Sequence, residues 1–354
     1  MGKFKEISRN FRKSFGKWLF DKKSRPAGAL DIGKAESILF VRYDDKLGDM
    51  ITATSIFREI KQKYPRIKIK VFCGVKSAQV IKYNPNVDEV RIIYKRFYKD
   101  VFTYFKNRKH IDIAFDFDGV DPKFSHMLRW RIICPKFLIG VNKENYNIYD
   151  LSLNLLDSDI WNKHIKYRYG AFLKLLGIEN PNLDYDIFIP QDMDSQYKNV
   201  MSGFKNKLKV IVNPSGDSVE RCLGKEQLNE LAAGILQSHD AHIFVLRVGG
   251  KDLSNFKQPE VTEIKINSIL ESAALIKHAD IVITPDTAIT HAATAFKKKT
   301  IILYRDWITN NTIWGPNNPN AVSITVDTKN GAVPNAVSNI PVNQILEKLS
   351  LIKL

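Results

Sequence analysis

The sequence predicts an α/β protein built as two doubly wound, Rossmann-like domains in tandem, facing each other across a cleft. Three observations lead there. A chain of 354 residues, 44% of them hydrophobic, is long enough to bury two cores. From Ser37 onward, short apolar runs alternate with longer amphipathic ones, the pattern of a parallel sheet covered on both faces. The alternation stops at the turn-rich stretch NPNLDYDIFIPQD, residues 180–192, and then starts again. The resulting division is an N-terminal extension at 1–34, a domain at 35–185, a second domain at 186–340 and a C-terminal helix at 341–354.

The extension, MGKFKEISRNFRKSFGKWLFDKKSR, repeats Phe4, Ile7, Phe11, Phe15, Trp18 and Leu19 at helical spacing, so they form one stripe. Nine Lys or Arg stand against Glu6 and Asp21 and fill the faces the stripe leaves free. That pattern fits a helix lying in an anionic membrane interface, through residues 1–25. It also fits a helix packed on the protein body with its basic residues solvated.

In the first domain SILFVRY, IKIKVFC, VDEVRIIY, IDIAFDFD and KFLIGV read as strands. Helices are expected between them near Ile51–Tyr64, Val75–Tyr83, Tyr98–Arg108 and Pro122–Ile133, and another near Trp161–Leu176. The second series runs LKVIVNPS, helix near Lys225–Gln237, AHIFVLRV, VTEIKI, helix near Leu270–His278, DIVITP, helix near Thr287–Phe296 and TIILYR. DWITNNTIWGPNNPN, rich in Asn, Pro and Trp, reads as a long surface loop or a lid. The final helix is expected near Val342–Leu351.

Composition narrows the function classes. A net charge of +16 favours anionic partners: nucleic acid, a phospholipid surface or a phosphorylated small molecule. No zinc-finger, homeodomain or RNP-like pattern accompanies the charge, so nucleic acid is not expected. Cys73, Cys134 and Cys222 are far apart, and no His/Cys cluster or H-E-x-x-H occurs, which argues against a disulfide framework and a zinc site. No apolar run reaches the roughly 18 residues of a membrane span, and a secretory signal is missing, so a cytoplasmic protein is expected.

No G-x-G-x-x-G or G-x-x-x-x-G-K-[ST] follows a strand, so a diphosphate needs another holder. VNPSGDSVERCLGKEQL places Asn213, Ser215 and Gly216 after one strand and Arg221 before a helix. TPDTAITHAA places Asp286, Thr287 and Ala288 at another helix start, with His291 one turn on. Helix N-termini offer free N–H groups to phosphate, and Arg adds a forked positive charge. The same motif also reads as an ordinary helix capped by Asp286. Both strand ends belong to one predicted sheet, where open α/β sheets bind ligands.

In the first domain, ILFVRYDDKLGDMITATSIFREIKQKYP runs from strand through polar loop to helix, with Asp44, Asp45, Lys46, Gly48 and Asp49 in the loop. Asp49 reads either as a helix cap or as a general base for a hydroxyl nucleophile. Asp116 and Asp118 would share one side of a strand end. A metal pair there is the lesser reading beside acceptor-side polarity or a loop cap, and no metal or cofactor is expected.

Together these stretches resemble the bacterial ADP-heptose:lipopolysaccharide heptosyltransferases, glycosyltransferase family 9, of the two-domain GT-B fold. The resemblance rests on the quoted strand-loop-Leu47-Gly48-Asp49-helix stretch ending in Tyr64-Pro65, on NPNVDEVRII, and on PDTAITHAATAFKKKTIILY, where the family has D-[ST]-G-x-x-H-x-A-A. It covers most of residues 37–305. It implies an inverting, metal-independent transferase with an acceptor-side first domain and a nucleotide-sugar-binding second domain. Asp49 would be the catalytic base, with Lys46 and Gly48 shaping the substrate loop. Arg221 would stabilise the departing phosphate. Ser215, Gly216, Asp286, Thr287, Ala288 and His291 would bind the donor. The donor implied is ADP-heptose and the acceptor a lipid-linked lipopolysaccharide core, at the inner face of the inner membrane. Another nucleotide sugar, with a capsule, O-antigen or glycoprotein acceptor, is the alternative; an inactive glycolipid-binding or scaffold protein is a further one. Ala288 stands where the family has Gly, Arg221 replaces a Lys that Trp-Pro normally follows, and the basic extension precedes the family's usual start.

Overall fold

The computed structural model describes residues 2–21, 30–94, 96–117, 121–156, 158–248, 256–306, 308–328 and 334–352. The chain forms two compact units, Met1–Lys46 with Ser55–Leu183, and Leu47–Thr54 with Asp184–Leu354.

In the first unit the strands are β1 (Ser37–Val41), β2 (Lys68–Cys73), β3 (Glu89–Ile92), β4 (Ile113–Asp116), β5 (Phe137–Val141) and β6 (Leu151–Leu153). The helices are α1 (Gly2–Phe20), α2 (Leu47–Lys63, its residues to Thr54 grouped with the second unit), α3 (Val75–Ile81), α4 (Val101–Lys106), α5 (Phe124–Ile133) and α6 (Lys166–Leu175). All strand pairings are parallel, in the order β3-β2-β1-β4-β5-β6. Every residue of β1 is buried because the sheet is covered twice. Its side chains alternate: Leu39 and Val41 join Tyr104, Met127 and Trp130, while Phe40 packs on Phe57 and Phe172. Thus α4 and α5 cover one face, and α2 and α6 the other.

The second unit repeats the topology with β7 (Leu208–Val212), β8 (Ala241–Val248), β9 (Val261–Ile266), β10 (Ile281–Pro285), β11 (Lys299–Tyr304) and β12 (Ala321–Thr325). They lie in the parallel order β12-β11-β10-β7-β8-β9. Its helices are α7 (Gln191–Ser202), α8 (Lys225–Ser238), α9 (Ile269–His278), α10 (Ala288–Ala295), α11 (Ile308–Trp314) and α12 (Val342–Leu351). Val212, Ile235, Ile283, Leu303 and Ile345 belong to one core beneath α8 and α12. The expected tandem of doubly wound sheets is present.

Several elements differ from expectation. Strands β6 and β12 and helix α7 were not anticipated, because LSL is short and QDMDSQYKNVMS is mostly polar. The stretch read as a surface loop contains α11, whose ITNNTIW has little apolar period to announce a helix. Helix α6 begins at Lys166, later than Trp161, and α4 is shorter than Tyr98–Arg108, preceded by a 3-10 turn at Phe97–Lys99. Helix α2 begins at Leu47, four residues before the expected start, so Gly48 and Asp49 are helical.

The N-terminal helix is docked. Gly16 faces α5 so closely that an added Cβ would lie 2.8 Å from Met127 Cε and 3.2 Å from Phe124 Cα. Phe20 meets Phe124 edge-on at 5.2 Å, Lys17 Nζ sits 4.9 Å over the Tyr146 ring, and Lys13 pairs with Asp121. Buried Asp21 then accepts from Ile148 N at 2.9 Å. The docked side is therefore Lys13, Gly16 and Phe20, and Phe11 and Trp18 remain 70% exposed.

Candidate active site

The strand order of the second sheet reverses between β7 and β10, which lie side by side at its centre. Their carboxyl ends open a crevice of the kind that binds ligands in such sheets. Asn213, 1% exposed, ties the two ends together: its Nδ2 lies 3.0 Å from Ser215 O and Thr284 Oγ1, and 3.3 Å from Thr287 Oγ1. Leu223 N donates to Pro214 O at 2.9 Å and folds the intervening loop back on the strand.

That fold-back delivers Arg221, on a 3-10 turn at Val219–Arg221, to the end of β10. Its Nη1 donates to Asp286 O at 3.4 Å, stands 4.0 Å from Asp286 Oδ2, and reaches Asp217 Oδ1 at 3.4 Å. Gly216 permits the approach, since a Cβ there would sit 2.4 Å from Arg221 Cβ and 2.7 Å from Arg221 O. Half-buried Ser215 and Gly216 line the same turn, where Gly216 N meets Cys222 Sγ at 3.4 Å.

The start of α10 is capped by Thr287, not by Asp286. Thr287 Oγ1 accepts from Ile289 N at 3.2 Å, and Thr290 Oγ1 faces Thr287 N at 3.5 Å. Asp286 lies one residue earlier, its N–H bonded to Leu303 O at 3.2 Å. Ala288 is the first residue of the helix, and His291, 4% exposed, lies one turn further, edge-on to Tyr185 at 6.0 Å.

Leu47–Thr54 belongs to this same unit. A Cβ on Gly48 would fall 2.7 Å from His291 Cδ2 and 3.8 Å from Ala288 Cα, so a glycine is what lets the first turn of α2 meet the first turn of α10. Thr54 Oγ1 accepts from Asp186 N at 2.9 Å, holding the next turn of α2 in place. Asp49 is the third residue of α2, where a carboxylate complements the helix dipole but is not the cap; the cap position is Lys46. Exposed Lys46 belongs to the first unit and is not grouped with the others.

The remaining acids of the first unit have structural duties. Asp44 pairs with Arg42 Nε at 3.1 Å. Asp45, in the left-handed region at φ 55°, accepts from Ser77 N at 2.8 Å and so supplies a cap to α3. Asp116 is fully buried and accepts from Tyr149 Oη at 2.6 Å and Trp130 Nε1 at 3.2 Å, the work of a packing residue; Asp118 lies outside the described residues. Among the described residues no cluster of three or more His, Cys, Asp or Glu suits a metal.

Sequence reasoning passed over Thr284 and Tyr304. Burial pushes the Tyr304 phenol well above its ordinary value and the Asp286 charge adds to that, so it remains a neutral donor beside the site. Both sit inside apolar strand runs, where they read as ordinary β-formers.

The two parallel, doubly wound sheets define a GT-B-type protein, with Arg221 and Asp286 beside the start of α10. The sequence profile of glycosyltransferase family 9 (heptosyltransferase) matches residues 151–339, and the chain belongs to that family. It is a glycosyltransferase. A relative from Escherichia coli K12 carrying the name "Putative lipopolysaccharide heptosyltransferase 4" is 25% identical over 84% of each chain. A family 9 glycosyltransferase from Veillonella parvula superposes with a TM-score of 0.74 at 17% identity, covering 92% of this chain and 98% of that one. The ADP-heptose lipopolysaccharide heptosyltransferase II of E. coli gives 0.69 at 15% identity, covering 89% and 98%.

Proposed function

We propose that the protein is an inverting glycosyltransferase that moves a heptose from ADP-heptose to a lipopolysaccharide core acceptor. The observation that carries this reading is the meeting of Gly48 with His291 and Ala288, which brings the Asp49 turn to the helix start flanked by Asp286 and Arg221. The curated relative's name and that of the E. coli transferase support the sugar and acceptor.

Residues 35–185 form the acceptor side and 186–340 the nucleotide-sugar side. Asp49 takes the proton of the acceptor hydroxyl as its oxygen attacks the anomeric carbon, while the bond from that carbon to ADP breaks. Arg221 and the N–H groups at Thr287 and Ala288 meet the negative charge growing on the leaving diphosphate, an electrostatic contribution that is often the largest. Asp286 orients the sugar, His291 packs beneath it, Ser215 and Gly216 contact the phosphates, and Lys46 and Gly48 shape the acceptor loop. The basic helix α1 holds the enzyme on the anionic inner face of the inner membrane.

Titration calorimetry with ADP, UDP, GDP and CMP, with and without magnesium, on the wild type and Arg221→Ala tests the donor site. Selective ADP binding, weakened about tenfold or more by the substitution, is the expected result. Preference for another nucleotide would replace the donor; Ala288 in place of the family's Gly is the feature that favours that second reading. Binding of none of them would remove the proposal.

A further inference from the structure

The first unit carries a second exposed aromatic and basic element besides α1. Helix α4 and the turn before it place Tyr98 at 67%, Phe102 at 83% and Phe105 at 54% exposure. These are large apolar side chains held in solvent by a well-anchored segment. Tyr104 is fully buried, its hydroxyl bonded to Asp100 Oδ2 at 3.2 Å, and Tyr94 N donates to the same oxygen at 2.7 Å. Arg129 of α5 lies beneath, its Cζ 4.9 Å from the Tyr104 ring centre and 5.8 Å from that of Phe97. The outward direction of Phe102 is thus fixed by the burial of Tyr104, two residues on, at the opposite side of the helix.

The charge around these rings has one sign. Arg96, Lys99, Lys106, Arg108 and Lys109 are exposed, whereas Asp100, the one acid between Tyr94 and His110, is 2% exposed and committed to the interior. Helix α5 backs α1 as well as α4, so both elements lie on the same side of the first sheet. On α1 the rings of Phe11, Phe15 and Trp18 stack in a row, with Phe15 against Phe124 of α5.

We infer that the turn and helix from Phe97 to Lys106 form a second bilayer-docking element, which enters an anionic lipid surface together with α1. Aromatic rings at the headgroup level ringed by Lys and Arg are the chemistry that an anionic phospholipid interface recognises. Two apolar footholds on helices that both pack against α5 also fix the orientation of the unit on the bilayer, which a single helix leaves free to roll. The inference rests on the proposed membrane contact of α1 and extends it to a segment that looks, in sequence, like an ordinary crossover helix.

Sedimentation of the full chain with vesicles of phosphatidylcholine, alone or mixed with phosphatidylglycerol, tests it. Three proteins are compared: wild type, Tyr98→Ser/Phe102→Ser and Phe11→Ser/Trp18→Ser, each first matched by urea unfolding, since all four side chains are solvent-exposed. The expected result is wild-type binding to the anionic vesicles only, weakened about tenfold or more by either double substitution. Loss with the α1 pair but unchanged binding with the α4 pair would overturn the inference and leave the α1 contact standing. Wild-type protein that fails to bind anionic vesicles, or binds neutral ones equally, would overturn both.

Discussion

His126 sits stacked on Tyr43 with ring centres 3.9 Å apart, and burial lowers its pKa to about 4. Asp116 pulls the other way, while Arg129, Lys123 and Lys143 reinforce the lowering. A histidine near 6.5 in the unfolded chain and near 4 in the fold binds fewer protons when folded. Its contribution is therefore fully present above about pH 6.5 and is lost as pH falls toward about 4, roughly 3 kcal/mol over that window. Urea unfolding at pH 7 and pH 4.5 should show this loss shrinking in His126→Gln. For the chemistry, Asp49→Asn should keep the wild-type unfolding curve and lower kcat by about 10² to 10⁴; a folded variant with full turnover removes the base assignment. Gly216→Ala should weaken ADP binding in the manner of Arg221→Ala, because its Cβ would displace Arg221 backbone atoms 2.7 Å away. Calorimetry on both variants compares them directly.

Helices report their apolar face in sequence but not the surface that covers it. The stripe of α1 was legible, and of its two readings the helix packed on the body is present on one side, while Phe11 and Trp18 on the other stay exposed. Its inner side is Lys13, Gly16 and Phe20, where Gly16 interrupts rather than continues the hydrophobic pattern. Gly16→Leu should detach α1 and speed its proteolysis without altering the urea unfolding of the second unit. In α3 the cap comes from Asp45, a residue of another loop, which is why local motifs such as a capping box do not reveal it. Asp45→Ala should cost about 1 kcal/mol in urea unfolding.

Across the chain, ligand binding should separate the two units. If the second unit alone holds the donor, ADP at about a hundred times its Kd should stabilise that unit by about 2.7 kcal/mol. Scanning calorimetry should then show one transition moving while the other stays in place. Equal shifts in both would place donor contacts in the first unit as well.

Most of the order of strands and helices, the doubly wound class, and the positions of Asp49, Arg221 and Asp286 at strand or helix ends were legible because periodicity of two or near four is a local property of the chain. That Thr287, Ala288 and His291 stand at a helix start was likewise legible from one short motif. Contacts between distant segments decided the rest. Nothing around Gly48 in sequence signals His291, and only the absent Cβ makes their approach sterically allowed. Asp44, Asp45 and Asp49 lie within six residues and share a charge, so their sequence neighbourhood ranks them poorly. Folding pairs Asp44 with Arg42 and Asp45 with Ser77 N, and it carries Asp49 on the turn that reaches α10.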